Sequence, residues 1–364
     1  MIRSTRYLEW AIRCYGQVHF DLASSGMTPL PLAELGPLAE AASEMGDYAS
    51  LFALRGAIAR YHGVAEEEVL PALGTAHALW LAYASLLDPS CDVLIEEPVY
   101  EPLLRAAEAT GARIIRFARS PDSGFAIDPA EVVAKITPRT RVVCVTNLHN
   151  PSGVRTSAAV LREVADVAAA AGAHLLVDEV YAPFDDLVDA SGTWTGSARR
   201  VAANVIAVGS LTKCYGLGTQ RIGWVLAPPE VVARATSTLL TTCGGLPTSH
   251  AAIGVRAFAR IDAIAARARR LLGTKRAQVA AWAASHPGFT WSAPESGLFG
   301  FVRIPGAEGI LGAVERGMAE EGVIVAPGEF FEVPDGFRIG WSLDAERLPE
   351  ALARLDRVLA KVTP

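Results

Sequence analysis

Short apolar runs alternate with longer amphipathic stretches through the middle of this 364-residue chain. Six of these runs are rich in β-branched or large apolar residues, which is typical of buried strands: residues 93–95, 114–117, 141–146, 174–177, 205–209 and 222–226. Between two of them, residues 157–171 carry apolar side chains at helical spacing and are followed by Gly172, a common helix stop. Strands that alternate with helices predict an α/β fold with a mostly parallel central sheet.

The pattern changes after Pro247. A long helical region at residues 250–285 precedes a second set of strands and helices, predicted at residues 298–304, 310–321, 323–325, 337–342 and 347–362. We therefore expect two domains, since a chain of this length can form two cores. The large domain is predicted at residues 36–249, and a smaller α/β domain joins residues 1–35 to residues 250–364.

The composition restricts the classes of function. About half of the residues are apolar, a fifth are charged, and the net charge is only −6, so we expect a soluble globular protein without a nucleic-acid partner. The five cysteines include no C-x-x-C pair, which argues against a disulfide framework or a zinc site, and no metal site is predicted. No signal peptide or membrane-spanning run is visible, so the expected location is the cytoplasm, without a membrane partner.

Polar residues follow three of the predicted strands. Asn150 comes shortly after the strand that ends at Thr146, Asp178 directly follows the strand that ends at Val177, and Lys213 lies just past the strand that ends at Gly209. Open α/β sheets bind ligands at the carboxyl ends of their strands. The three segments are therefore expected to meet in one crevice.

These residue types match the parts of pyridoxal 5′-phosphate (PLP). The Lys213 amine can form a Schiff base with the aldehyde, and the Asp178 carboxylate can hold the pyridine nitrogen protonated. Asn150 and Tyr181 can donate hydrogen bonds to the phenolic oxygen, and the Arg221 guanidinium matches a phosphate. The sequence therefore predicts a PLP site.

Other residues extend the predicted site. Gly74, Thr75 and Ala76 open a helical run, where backbone N–H groups and the helix dipole favour an anion. Tyr100 could stack on the cofactor ring, and Arg338 could bind a substrate carboxylate through two parallel hydrogen bonds.

Five motifs resemble those of the class I/II, fold-type I family of PLP-dependent aminotransferases. In chain order they are Asn-Pro-Ser-Gly (150–153), Asp-Glu-Val-Tyr (178–181), Ser-Leu-Thr-Lys (210–213), Arg-Ile-Gly-Trp (221–224) and Phe-Arg-Ile-Gly (337–340). Their order and spacing are similar to those of the family over roughly residues 20–360. The resemblance implies the fold of PLP-dependent transferases of type I and an amino-group transfer between an L-amino acid and a 2-oxo acid by a ping-pong Schiff-base mechanism.

The resemblance also implies a role for each predicted site residue. It places Lys213 as the catalytic Schiff-base lysine, Arg338 on the substrate carboxylate and Gly26 in the wall of the substrate pocket. The implied cofactor contacts are those of Gly74, Thr75, Ser210 and Arg221 with the phosphate, of Asp178 with the pyridine nitrogen, of Asn150 and Tyr181 with the ring hydroxyl, and of Tyr100 with the ring face. It further implies a homodimer with both active sites at the interface.

The chain departs from the family pattern at several positions. Family members often have a tyrosine that reaches the neighbouring subunit's phosphate where this chain has Met45, and Tyr48, three residues later, is a candidate substitute. His77 stands where an acidic residue is common, and His149 precedes Asn150; either could line the pocket or satisfy a local hydrogen bond. The segment around Leu8-Glu9-Trp10 and Ser24-Ser25-Gly26 also resembles the capreomycidine synthase-like branch.

Alternative functions stay open at this point. A PLP-dependent lyase, cyclase or decarboxylating enzyme of secondary metabolism would use the same residues. An aminotransferase-like sensor domain of a transcription regulator is disfavoured because the first thirty residues are not basic. Ser210-x-x-Lys213 also fits a serine acyl-enzyme pattern, but the companion S-D-N and K-T-G motifs are absent from the sequence.

Overall fold

The computed structural model describes residues 3–14, 16–36, 48–184, 194–292 and 294–362. Within these ranges the α-helices are α1 (Arg6–Cys14), α2 (Ala49–His62), α3 (Gly74–Leu86), α4 (Glu101–Glu108), α5 (Pro129–Lys135), α6 (Ala158–Ala170), α7 (Pro229–Cys243), α8 (Thr248–Phe258), α9 (Ile261–Leu272), α10 (Lys275–Ala284), α11 (Ile310–Glu320) and α12 (Leu348–Leu359). None of these helices is long and apolar enough to span a bilayer.

The strands form three sheets. They are β1 (Phe20–Asp21), β2 (Val69–Leu73), β3 (Asp92–Glu97), β4 (Arg113–Ala118), β5 (Thr140–Thr146), β6 (His174–Asp178), β7 (Val205–Ser210), β8 (Ile222–Leu226), β9 (Thr290–Trp291), β10 (Phe299–Arg303), β11 (Val323–Ile324), β12 (Ala326–Pro327) and β13 (Gly336–Gly340). The seven-stranded sheet has the order β2-β8-β7-β6-β5-β3-β4. All six strands predicted between residues 93 and 226 lie in it, so the mostly parallel α/β fold is confirmed.

One strand of this sheet runs against the parallel direction. β8 is antiparallel to its neighbours β7 and β2. The chain between Ser210 and Ile222 contains only a short 3-10 turn, Gly218–Gln220, and no crossover helix. A parallel return needs a crossover of about a dozen residues or more, usually helical, so this short connection leads into an antiparallel pair.

The large sheet is buried on both faces because its strands carry apolar side chains in both directions. Along β5, Val143 and Val145 belong to one apolar cluster, whereas Val142 and Cys144 belong to a cluster on the other face. This is the pattern of a parallel sheet covered by helices on both sides. The carboxyl ends of the strands are therefore held by a sheet that is packed on both faces.

Two predicted helical regions are helical in the structure, one as a single helix and the other as three. α6 lies within the predicted residues 157–171: the Ser157 hydroxyl accepts a hydrogen bond from the Val160 N–H (3.2 Å), and Gly172 follows with a positive φ of 72°. The long helical region predicted at residues 250–285 is helical and is divided among α8, α9 and α10. One interruption contains Gly273, whose positive φ of 46° is incompatible with a continuing helix.

A second apolar centre lies in the C-terminal part of the chain. The antiparallel sheet β12-β13-β10-β9 packs with α1, α11 and α12 around buried side chains such as Phe301, Phe337 and Trp341. The N-terminal strand β1 pairs with β11, with Phe20 opposite Val323. This pairing places the N-terminal segment of the chain next to its C-terminal part.

Candidate active site

The carboxyl ends of the parallel strands border a cavity of about 600 Å³. Its lining includes most of the predicted site residues: Gly26, Thr75, Ala76, Tyr100, Asn150, Asp178, Tyr181, Ser210, Lys213 and Arg221. Gly74 and Arg338 do not line it, but each contacts a residue that does. The structure therefore brings together segments that are far apart in the sequence.

Lys213 lies on the cavity wall past the end of β7. Its Nζ donates a hydrogen bond to the Ser25 hydroxyl at 3.2 Å. Burial, with the nearby positive charges of Arg338 and Arg221, lowers the pKa of Lys213 to about 8. A lysine with this pKa is partly unprotonated at neutral pH and can act as a nucleophile or a base.

Asp178 ends β6 and is only 4% exposed. Within the described part of the chain, its Oδ1 accepts one hydrogen bond, from the Val180 N–H at 3.1 Å. Burial raises the pKa of Asp178 to about 7, with a further rise caused by Glu96. A buried carboxylate with so few donors is suited to a cationic partner in the cavity.

The first turn of α3 and Arg221 form another wall of the cavity. The Thr75 hydroxyl donates a hydrogen bond to the Ser210 hydroxyl at 2.9 Å. Gly74 has a positive φ of 77°, and a Cβ atom at this position would lie only 2.4 Å from Nη2 of Arg221. The positive φ favours glycine, and a larger residue would have to displace the Arg221 guanidinium, so glycine lets the helix N-terminus and the guanidinium approach closely and together present an anion site.

Arg338 lies fully buried behind the cavity wall, on β13. Its Nη1 donates to Asn150 Oδ1 at 2.8 Å, and its Nη2 donates to the Tyr7 hydroxyl at 2.5 Å and to the Ala23 carbonyl at 2.9 Å. Among the described residues, Arg338 Nε and Asn150 Nδ2 are buried donors without a hydrogen-bond partner. Buried donors without partners are rare in proteins, and both atoms belong to residues predicted to bind ligands.

The sequence interpretation missed two contributors, Ser25 and Tyr7. The Ser25 hydroxyl accepts hydrogen bonds from both Tyr181 (2.9 Å) and Lys213 (3.2 Å). Ser25 precedes Gly26 in the Ser24-Ser25-Gly26 run, so the run itself was the available signal. Tyr7 carried no comparable signal, because its contact with Arg338 spans 331 positions of the chain.

The two histidines left open by the sequence form local hydrogen bonds. His149 Nε2 donates to the Pro98 carbonyl (3.1 Å), and its Nδ1 accepts from the Ser152 hydroxyl (2.7 Å). His77 Nδ1 accepts from the Leu73 N–H at 3.1 Å. Neither side chain lines the cavity. Met45 lies outside the described residues, and Tyr48 is 73% exposed.

Comparison with known proteins gives a consistent result. The family model for aminotransferase class I and II matches residues 37–355. Capreomycidine synthase from Streptomyces vinaceus is 30% identical, over 96% of this chain and 92% of that protein. An arginine–pyruvate transaminase from Pseudomonas aeruginosa is 29% identical, over 90% of this chain and 86% of that protein.

The fold has close counterparts among solved structures. A PLP-dependent aminotransferase from Streptococcus suis superimposes with a TM-score of 0.87 at 24% identity, covering 100% of this chain and 99% of that one. The structure therefore confirms the fold of PLP-dependent transferases of type I that the motifs predicted. The cofactor is pyridoxal 5′-phosphate, and the chain belongs to the class I and II family of PLP-dependent aminotransferases.

Proposed function

We propose that this aminotransferase moves an amino group from an L-amino acid to a 2-oxo acid in two half-reactions, with Lys213 as the catalytic residue. One observation carries the proposal: Lys213 and Asp178 line the same cavity, with the pKa of the amine lowered to about 8 and that of the carboxyl raised to about 7. When bound, PLP supplies an aldehyde that takes up the amino group and a ring that withdraws electrons from the substrate's α-carbon.

The cavity residues fit this cofactor. Asp178 would face the pyridine nitrogen, whose positive charge would stabilise the buried carboxylate. The unpartnered Asn150 Nδ2 and the Tyr181 hydroxyl would donate to the phenolic oxygen. The phosphate would be held by the α3 N-terminus (Gly74, Thr75, Ala76), Ser210 and Arg221, and the Tyr100 ring would pack on the ring face.

Lys213 would bind the aldehyde carbon covalently in the resting enzyme. Once an incoming amino acid has displaced it, the Lys213 amine would be available in the cavity as the base that takes up the substrate's α-proton. Arg338, held by Asn150 and Tyr7, would bind the substrate carboxylate through its remaining donor capacity, and Gly26 would leave room for the substrate next to Lys213.

Spectroscopy of the purified enzyme tests the proposal. The cofactor's visible absorbance should be present in the wild type and should change when an amino acid alone converts the cofactor to its aminated form. Lys213→Ala should abolish this conversion of the cofactor and the catalytic turnover. Lys135→Ala, a change at an exposed lysine on α5, should retain both. Turnover by Lys213→Ala would refute the assignment.

A second candidate is a PLP-dependent lyase or cyclase, because the relative with 30% identity is named capreomycidine synthase. Incubation with an amino acid in the absence of a 2-oxo acid separates the two functions. Stoichiometric amination of the cofactor supports transfer. Catalytic release of ammonia or a cyclised product, with the aldehyde form of the cofactor retained, supports the alternative.

We also propose that the enzyme is a homodimer in the cytoplasm. Large apolar side chains are exposed on α2 and α7, Phe52 at 70% and Leu240 at 57%, and a second copy would cover them. All five cysteines are free thiols, as expected in a reducing compartment. Sedimentation at equilibrium tests the dimer, and a monomeric holoenzyme would contradict it.

The division into residues 36–249 and residues 1–35 with 250–364 is likewise our proposal. It is supported by the separate apolar clusters around the large sheet and around the antiparallel sheet. α8 packs against α2 within the first of these clusters, so this helix bridges the two parts. Limited proteolysis should cut preferentially near the boundary, and cleavage spread evenly over the chain would contradict it.

A further inference from the structure

We propose that Asp21 selects amino acids whose side chain ends in a cation, a guanidinium or an ammonium group. The proposal rests on the proposed function, because it assigns the donor substrate of the same cavity. Asp21 was not among the residues singled out from the sequence, and its side chain has no role in holding the cofactor.

Strand pairing directs Asp21 into the cavity. β1 contains only Phe20 and Asp21, which pair with Val323 and Ile324 of β11. Phe20 is 5% exposed and belongs to the apolar cluster of the antiparallel sheet. Successive side chains of a strand point in opposite directions, so Asp21 faces away from that cluster, and it lines the active-site cavity.

The backbone holds the carboxylate in a fixed orientation. Its Oδ1 accepts hydrogen bonds from the N–H groups of Ala23 and Ser24, both at 2.9 Å. No residue in the described ranges forms a hydrogen bond or ion pair with Oδ2. One oxygen is thus committed to the turn, and the other is available to a ligand.

The charges of the cavity point to a cationic ligand group. Among the residues that the structure describes, four charged side chains line it: Asp21, Asp178, Lys213 and Arg221. The proposed cofactor contacts use the last three, and Arg338 donates to Asn150, Tyr7 and Ala23 rather than to Asp21. Of these four described lining charges, Asp21 is the one that the proposed cofactor contacts do not use, and it forms no ion pair with Arg338, whose charge acts on it from a distance.

The surroundings make this carboxylate a strong discriminator. The N-terminal segment otherwise lines the cavity largely with the apolar residues Leu8, Met27 and Pro29. Burial raises the pKa of Asp21, and the N–H groups of Ser24 and Ala23 and the charge of Arg338 offset this rise only in part in the ligand-free protein. A cationic side chain would supply the remaining compensation, whereas a neutral side chain of equal length would leave the carboxylate unpaired.

The test compares substrates of equal shape and different charge on the holoenzyme. L-arginine and L-citrulline differ in the charge of the terminal group, and so do L-lysine and L-2-aminoheptanoate. Comparing the two pairs distinguishes a guanidinium preference from an ammonium preference. We expect kcat/KM for at least one cationic member to exceed that for its neutral counterpart by about tenfold or more. Asp21→Asn should bring this ratio close to one, because the negative charge is lost. The turn should be retained, because the asparagine side-chain oxygen can still accept the two hydrogen bonds from Ala23 and Ser24.

A matched control is available on α1. Glu9 is an exposed carboxylate on the same N-terminal segment and does not line the cavity, so Glu9→Gln should preserve the substrate ratio. Equal rates with cationic and neutral substrates in the wild type would overturn the proposal. A ratio that Asp21→Asn leaves unchanged would overturn it as well.

A binding measurement separates this proposal from the proposed function. 5-Guanidinopentanoate lacks the α-amino group and cannot react, so calorimetry against 5-ureidopentanoate reports recognition of the charged end alone. Preferential binding of the guanidino acid by about tenfold, without conversion of the cofactor by any amino acid, would refute the transfer and leave Asp21's role intact. Amino-group transfer without this binding preference would support the proposed function and refute the role of Asp21.

Discussion

Two buried carboxylates at the same edge of the large sheet have very different surroundings. Glu96, on β3, accepts hydrogen bonds from Arg119 Nη1 (2.8 Å), from the Thr146 N–H (2.7 Å) and from the Thr146 hydroxyl (2.6 Å). Asp178, at the end of β6, accepts one, from the Val180 N–H. Both side chains are almost completely removed from solvent, at 0% and 4% exposure.

The difference separates a structural charge from a functional one. Burial raises the pKa of both carboxyls, but Arg119 and Thr146 oppose the rise at Glu96. The Thr146 hydroxyl also accepts a hydrogen bond from the Asn150 N–H at 3.1 Å, so the Glu96 network supports a residue of the site, although Glu96 itself does not line the cavity. A buried carboxylate with complete protein partners stabilises the fold, whereas one with incomplete partners is prepared for a ligand.

Breaking the Glu96 network should have the largest effect. Arg119→Met leaves Glu96 buried without its cation and should lower the free energy of unfolding by about 3–5 kcal/mol in chemical denaturation. Arg116→Met, on β4 shortly before Arg119, is the control. Arg116 is partly exposed, pairs with Glu332 and donates to the Glu96 backbone carbonyl but not to the Glu96 carboxylate, so its loss should cost less, about 1 kcal/mol. Equal losses in the two variants would contradict the distinction.

Removing the charge of Asp178 should instead affect turnover. Asp178→Asn keeps the size of the side chain but cannot stabilise a protonated pyridine ring, so kcat/KM should fall by about 10²- to 10³-fold. The free energy of unfolding of the cofactor-free protein should not fall, since burial there destabilises the charged carboxylate more than the nearby Lys213 stabilises it. A large loss of stability with normal turnover would assign Asp178 to the structural class.

The cofactor-free protein should reveal Asp178 through pH. Because the folded pKa of about 7 lies above the ordinary value of 3.8, the folded state holds the proton longer, and this carboxyl lowers stability as pH rises from about 4 to about 7. Glu179 acts in the same direction, with its pKa raised to about 8 by burial, so the readout is the difference between wild type and Asp178→Asn. The difference in the free energy of unfolding between these two proteins should change by up to about 4 kcal/mol between about pH 4 and 7, and this change should become smaller with PLP bound. A pH-independent difference would contradict it.

Loss of the Ser25 hydroxyl should give the smallest effect. Ser25→Ala removes the shared acceptor of Tyr181 and Lys213, so kcat/KM should fall by about five- to tenfold, equivalent to about 1 kcal/mol. Ser24→Ala should have a smaller effect, because the Ser24 hydroxyl accepts only one long hydrogen bond, from the Gly26 N–H at 3.4 Å. A Ser24 effect equal to that of Ser25 would contradict the shared-acceptor role.

Much of the site could be predicted because its parts are local to strand ends. Asn150, Asp178 and Lys213 each follow an apolar run, and the parallel arrangement of such runs brings their carboxyl ends to one edge. Glu96 also ends an apolar run, but nothing in the sequence connects it with Arg119, which directly follows the next strand. The sequence therefore does not show that Glu96 has an arginine partner in the protein whereas, among the described residues, Asp178 forms no ion pair with one.

The sequence alone determined the fold class, the cofactor and the order of the motifs, because these depend on short-range periodicity and on residue types within a few positions of each other. Only the tertiary structure decided the antiparallel direction of β8, the partners of Arg338 and the placement of Asp21 in the cavity. Arg338 reaches Tyr7 across 331 positions and Asp21 pairs with Ile324 of β11. Contacts over such distances depend on how the complete chain packs, and no local pattern of residues encodes them.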